Sequence, residues 1–309
     1  MNKTNLIACI TGASGVIGSK IAKRLLLLGY KVRALDIRKC LEDPNIEFYQ
    51  SKIENEKCVD DFLKNAHFLF HCAAELKDQS KMWEVNVSGT ERLLEKSREA
   101  KIRYLCYISS AGVIGKTNLK WVDETSPCHP QTLYEQSKWA AEKLVAQGIE
   151  GCRVVILRPT NVIDDERPGA LALPMRNSWR DRLNVLVKGG ECAHIIHAED
   201  IAAAAVYFIS YPKETPQCFF VSCDNDQMNT FAGIWTLFRA VQAKSPDEGL
   251  RPSLHLPIFV PHLLRRLWGR SSNRGDVRYS SQRILSAGFT YPLGFRGAVK
   301  QVVSKQEAR

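Results

Sequence analysis

Tyr134 and Lys138, in the run Tyr-Glu-Gln-Ser-Lys, lie four residues apart at the start of an alanine-containing stretch with helical character. On a helix that spacing sets a phenol and an ammonium on one face, one turn apart. An unperturbed tyrosine keeps its proton up to a pH of about 10, and a fixed cation nearby favours the phenolate. Such a pair suits proton exchange with a substrate alcohol or carbonyl.

A second pattern suits an anion. Thr11-Gly-Ala-Ser-Gly-Val-Ile-Gly18 follows the short apolar run Leu6-Ile-Ala-Cys-Ile10 and precedes a helical pattern through Ile21, Leu25 and Leu28. Strand, glycine turn and helix together read as a dinucleotide site. Gly12, Gly15 and Gly18 allow a tight turn, a close approach of backbone to a pyrophosphate and close helix packing, while the amides at the helix start favour negative charge. A second strand over residues 31–35 ends at Asp36, whose carboxylate suits a ribose diol and repels a 2′-phosphate, so NAD is expected; Arg38, after Ile37, leaves NADP open.

The elements that must hold these groups alternate regularly. Strands are expected at 46–49, 68–70, 104–108 and 153–161, the last ending in Pro159 and Asn161, with a helix near 56–64, another carrying Asn86, and the Tyr134 helix between the last two strands. This predicts an α/β fold, a Rossmann-type doubly wound parallel sheet whose ligands collect at the carboxyl ends of strands. Small residues after the fourth strand, Cys72-Ala73-Ala74, let a cofactor lie against the backbone, and Ser109 and Ser110 stand at another such end. Residues 1–163 are expected to form the dinucleotide-binding domain. Residues 164–309 are expected to be mostly substrate-binding, with segments around 190–225 returning to the main sheet. The region 164–182 reads as loop, with helices over 201–209, 230–241 and from Pro261.

Composition bounds the rest. The 309 residues, 45% hydrophobic and 25% charged, can bury a full core. The ten cysteines are dispersed, without a Cys-x-x-Cys pair or metal-ligand spacing, so no metal is expected, and a reduced, cytoplasmic setting is the simplest reading. No stretch approaches the roughly 18 apolar residues of a membrane span, and no cleavable signal is evident. Most of the net charge of +10 sits in residues 251–309, where eleven Lys and Arg face only Asp276 and Glu307. This suits an anionic ligand or weak contact with an anionic membrane surface rather than nucleic acid, for which no binding module is present. Within it, Pro261-His-Leu-Leu-Arg-Arg-Leu-Trp268, followed by Arg270, reads as an amphipathic helix, either closing a small domain or serving as an interfacial element or apolar lid.

Taken in order, the glycine turn, Asp36, His71-Cys-Ala-Ala74, Asn86-Val-Ser-Gly-Thr90, Ser109-Ser-Ala111, Tyr134-x-x-x-Lys138, Leu157-Arg-Pro-Thr-Asn161 and His197-Ala-Glu-Asp200 resemble the extended short-chain dehydrogenase/reductase superfamily. The resemblance implies that Tyr134 is the general acid/base, that Lys138 lowers its pKa and holds the nicotinamide ribose, that Ser110 hydrogen-bonds the reacting oxygen and that Asn86 supports cofactor and proton relay. It implies cofactor contacts from Gly12, Ser14, Gly15, Val16, Ile17 and Gly18. Further contacts would come from Asp36, Ile37, Arg38, Cys72, Ala73, Ala74, Ser109, Pro159 and Thr160. Substrate would meet Ser110, Ala111, Tyr134, Asn161 and Arg274. A homodimer is the family expectation. Two departures stand out: Ser51-Lys52-Ile53 replaces the Gly-Asp that contacts adenine in many members, and Ala193 stands where nucleotide-sugar enzymes place a diphosphate-binding arginine. Arg274-Gly-Asp276 is similar to a second diphosphate-side motif, with altered spacing. A Leu-Pro segment near 256 is similar to that of 3β-hydroxysteroid dehydrogenases. The expected activity is therefore NAD(H)-dependent interconversion of a secondary alcohol and a ketone on a bulky, steroid-like substrate, with a nucleotide-sugar epimerase or dehydratase as alternative. A cofactor-sensing protein without catalysis is a third reading.

Overall fold

Two neighbouring strands in the middle of the sheet are buried throughout: every residue of Phe68–His71 and of Tyr104–Ile108 is buried, as a strand covered on both faces requires. The computed structural model describes residues 3–39, 43–165, 173, 178–212, 216–244, 251–267 and 273–307. In chain order these form β1 (Ile7–Thr11), α1 (Val16–Leu27), β2 (Lys31–Asp36), β3 (Ile46–Gln50), α2 (Glu56–Leu63), β4 (Phe68–His71), α3 (Gln79–Trp83), a π-helical turn (Glu84–Ser88), α4 (Gly89–Glu99), β5 (Tyr104–Ile108), β6 (Trp121–Val122), α5 (Leu133–Val145) and β7 (Arg153–Pro159). There follow β8 (Asn161–Ile163), α6 (Trp179–Lys188), β9 (Ile195–His197), α7 (Ala198–Tyr207), β10 (Gln217–Val221), α8 (Phe231–Gln242), α9 (Phe259–Leu267), β11 (Arg278–Tyr279), α10 (Gln282–Ser286) and α11 (Gly294–Glu307).

The chain divides into two compact units. The first takes Met1–Gly115, Cys128–Pro159 and Ile201–Phe219. Its seven-stranded sheet has the order β10-β7-β5-β4-β1-β2-β3, and β7 to β3 run parallel. This is the Rossmann-type sheet expected from the alternation of strands and helices. Strand order reverses between β1 and β4, so a crevice opens at their carboxyl ends. One layer beneath the sheet is an apolar cluster of Phe62, Leu69, Leu93, Leu105, Ala141 and Ile156, which fixes α2, α4 and α5 against the strands. β3, the edge, is the least buried.

The second unit takes Lys116–Pro127, Thr160–Asp200 and Phe220–Arg309. Here β8 pairs with β9 and β6 with β11, both parallel, and α8 packs against α6 and α11. The expected strand through Asn161 is two strands: β7 stops at Pro159, and Asn161 pairs instead with Ile195. The loop expected up to residue 182 also ends early. Ser178 and Asp181 form a capping box that starts α6 at Trp179. Trp268 and Arg270 lie outside the described residues. Among those residues, no helix is long and apolar enough to cross a membrane, and no cysteine is bonded to another.

A buried ion pair ties α5 to the first unit's sheet. Arg158 of β7 meets Glu142 of α5 at 2.6 Å, with both side chains 4% exposed, and the Trp139 ring lies over the guanidinium. Glu142→Ala strands that cation and should lower unfolding free energy by about 3–5 kcal/mol. Replacing both partners by Leu and Met should recover much of the loss in the same urea titration, and equal losses for single and double variants would show that the pair carries no coupling.

Candidate active site

Placement of the phenol begins with a helix cap. Thr132 accepts from the Glu135 amide while the Glu135 carboxylate accepts from the Thr132 amide, a reciprocal pair that starts α5. Tyr134 is thereby fixed in the first turn, and Ser137 and Lys138 face inward, buried. Ser110, at the end of β5, caps the short 3-10 turn Ala111–Ile114 by accepting from the Gly112 amide at 3.0 Å. The same hydroxyl hydrogen-bonds Tyr134.

Electrostatics here follow from burial. Burial pushes the Tyr134 phenol up to about 12, while the Ser110 hydrogen bond pulls the other way. Burial drives Lys138 down to about 7, against the opposing influence of Cys72 and Glu142. Lys138 Nζ donates to the Ile108 carbonyl at 2.6 Å and stands 4.2 Å from the Tyr107 ring centroid. Desolvation is the largest influence on the phenol, and the Lys138 ammonium one turn on is engaged with a carbonyl and a ring face.

Asn86 lies in the π-helical turn, where the widened backbone aims it at α5. Its amide donates to Ser137 Oγ at 2.9 Å and to the Glu75 carbonyl at 3.0 Å, and its oxygen accepts the Glu75 amide at 2.7 Å. Its side-chain amide therefore holds the loop after β4 against the helix bearing Tyr134.

The glycine turn is built as a cradle. Gly12 has φ +65°, and a Cβ there would lie 2.6 Å from the Ala73 nitrogen, so β1 and the Cys72-Ala73-Ala74 stretch approach backbone to backbone. Gly15 caps α1 without a side chain, leaving the amides of Val16, Ile17 and Gly18 at the helix start, where an anion is favoured. Asp36 accepts from the Ser14 amide at 3.0 Å and the Arg38 amide at 3.1 Å, and Ser14 Oγ donates to the Arg38 carbonyl. Ile37 is exposed beside it. These contacts position the carboxylate at the end of β2, and the set fits a dinucleotide.

In the second unit, Thr160 is 9% exposed, and its buried hydroxyl has no hydrogen-bond partner among the described residues. Asn161 donates from its side chain to the Ala193 carbonyl. Arg274 is 68% exposed, 3.5 Å from Asp276. His194, in the left-handed region at φ +55°, pairs with Asp224 at 2.6 Å. The buried residues Asp164, Asp165 and His197 gather closely, but the Glu199 amide donates to His197 Nδ1. That places the proton on Nε2, toward Asp165, and Lys305 also pairs with Asp165. The arrangement is an ion network rather than a metal ligand set.

Sequence reasoning missed two sets of contacts that support the site, one at Ser109 and one at His71. Ser109 donates to Glu142 at 2.6 Å, which links it to Arg158. His71 bridges Thr11 at 2.7 Å and Thr90 at 2.9 Å. Since Thr90 donates to the Asn86 carbonyl, its oxygen accepts from His71 Nε2–H, and Nδ1 accepts from Thr11. Burial first, and Lys138 second, hold His71 down at about 3, hence neutral. No period or motif marks such partners, although His71 and Thr90 lie inside stretches that the sequence singles out.

Between pH 7 and 10 the unfolded chain keeps the Lys138 proton that the folded chain releases, so stability gains from this group as pH rises through that window. The difference in unfolding free energy between the wild type and Lys138→Met, measured across it, should grow with pH in favour of the wild type; a flat difference would remove the assigned shift.

A model of the NAD dependent epimerase/dehydratase family matches residues 8–221, from β1 to the end of β10. The sterol demethylase protein B of Methylococcus capsulatus is 28% identical over 196 residues, 58% of this chain and 59% of that protein. A UDP-glucose 4-epimerase of Lactobacillus helveticus is 29% identical over 177 residues, covering 52% of this chain and 53% of that one. The chain thus spans little more than half the length of these relatives. Among solved structures, a short-chain dehydrogenase/reductase superfamily protein from Agrobacterium tumefaciens with bound NAD has a TM-score of 0.74 at 19% identity, covering 98% of this chain and 97% of that one; at that identity the likeness concerns the fold.

Proposed function

The chain belongs to the NAD dependent epimerase/dehydratase family, within the extended short-chain dehydrogenases/reductases, and we propose that it is an NAD(H)-dependent oxidoreductase interconverting a secondary alcohol and a ketone on a bulky, apolar, sterol-like substrate. The observation that carries this reading is the hydrogen-bonded pair of Ser110 and Tyr134 with Lys138 one turn on. When bound, the dinucleotide supplies hydride transfer. What remains for the chain is the proton.

With its pKa held up by burial, Tyr134 is protonated at neutral pH and poised to give its proton to a carbonyl oxygen as that oxygen gains electrons. Ser110 donates a hydrogen bond to the same oxygen, and Lys138 stabilises the phenolate left behind. In the oxidising direction the phenolate takes the alcohol proton, a state favoured by positive charge near the phenol. The carboxylate of Asp36, held by two amides at the end of β2, suits the ribose diol of NAD.

Support for an apolar substrate comes from Ala193, 1% exposed, which puts a buried methyl where the family resemblance places a diphosphate-binding arginine. The sterol demethylase relative points the same way. An epimerase acting on a nucleotide sugar is the second reading, favoured by the epimerase relative; it would use the same tyrosine for a hydride transfer that is later reversed.

Purified protein incubated with NAD and a 3β-hydroxysteroid should accumulate NADH and ketone. Tyr134→Phe should cut turnover by about 10²–10⁴-fold while leaving NAD affinity nearly intact. Conversion of UDP-glucose without net NADH, together with no steroid oxidation, would replace the first reading by the second.

A further inference from the structure

The second unit carries an apolar surface that the proposed chemistry does not use. On α6, Trp179, Leu183 and Leu186 form one stripe at helical spacing, 70%, 51% and 47% exposed, while Asp181 and Val185 on the opposite side are buried. On α9, Phe259, Leu263 and Leu267 form a second stripe, 67%, 52% and 72% exposed. Its opposite side holds buried Pro261 and the Arg265 guanidinium, paired with Glu191 at 2.6 Å.

Two features bring these stripes to one corner of the unit. The Leu256 amide donates to the Leu186 carbonyl at 2.8 Å. A Cβ on Gly189 or Gly190 would run into the His255 ring side chain, at 2.6 and 2.8 Å, so the chain leading into α9 lies directly on the end of α6. Between the two helices, Leu254 is 94% exposed.

The exposed charge on these two segments is mainly positive. Arg180, Arg182 and Lys188 of α6 are exposed, whereas its single acid, Asp181, is turned inward by the cap. Residues 251–267 contain three arginines and no acid, although Arg265 is taken up by its pair with Glu191. Aromatic and leucine side chains standing out from helices among Lys and Arg are what the boundary of an anionic bilayer accepts: the rings and leucines enter the headgroup region and the cations meet lipid phosphates and carboxylates. A second copy of the chain is disfavoured, since a two-fold contact would set this cationic rim against itself.

We propose that α6, α9 and the segment joining them form a docking surface for an anionic lipid membrane. It stands on the second unit alone and does not depend on the enzymatic reading, because its readout is binding rather than turnover. The test is sedimentation of the full chain with vesicles of phosphatidylcholine containing about 30% phosphatidylserine, against phosphatidylcholine alone. Binding should be confined to the anionic vesicles and should weaken as salt rises. Leu183→Ser/Leu263→Ser should lose it. Arg180→Glu/Arg182→Glu, at exposed positions outside the core, should lower it by about tenfold or more. Equal sedimentation with both vesicle types, unchanged binding by the charge-reversal variant, or a concentration-dependent dimer that Leu183→Ser/Leu263→Ser abolishes without any vesicle binding would overturn the proposal.

Discussion

An ammonium group taken almost wholly out of water is the constraint around which the first unit is arranged. Lys138, 2% exposed, has a carbonyl oxygen and an aromatic face in place of a hydration shell, and burial draws its proton affinity toward neutrality. Its neighbours must then be anionic or uncharged. His71, buried nearby, is kept neutral, and two threonines fix its tautomer. Glu142 contributes opposite charge from one turn along α5, but it must itself be satisfied. It is satisfied by Arg158 and Ser109. The end of β5, the end of β7 and the helix bearing the phenol are therefore held by one connected set of polar contacts, each answering a charge that the one before it buried.

Much of the first unit was legible in the sequence because its signals are local. A glycine turn between a strand and a helix, and four residues between Tyr134 and Lys138, need no knowledge of distant neighbours. The sheet followed from largely alternating elements and from central strands that are mostly apolar. The polar supports were hidden for the opposite reason: Glu142 reaches Ser109 across 33 residues and Thr11 reaches His71 across 60, and nothing in their spacing announces it. The burial of the phenol was hidden on the same ground, since spacing reveals a nearby cation but not the depth at which Tyr134 lies.

The second unit was harder to read. Pro159 and Asn161 belong to one continuous stretch of β-forming sequence, yet the strand ends at Pro159 and the next residues pair elsewhere, a change set by partners more than thirty residues away. Charge was the better guide in this part of the chain. An excess of arginine after residue 251, with leucines at helical spacing, foretold an amphipathic element, and α9 extends it by two residues toward the N-terminus through Phe259. The matched family model ends at residue 221, so the region after it was read without that support.

The path of the polypeptide between its two units has a bearing on how such a protein can change. The chain passes from one unit to the other after Gly115, Pro127, Pro159, Asp200 and Phe219, so no single cut separates them, and β10 completes the first unit's sheet only after the second unit has been partly built. The second unit therefore cannot be exchanged for a foreign module at one junction, as tandem domains allow. Change within it must arise residue by residue inside segments that are interleaved with the strands and helices of the first unit.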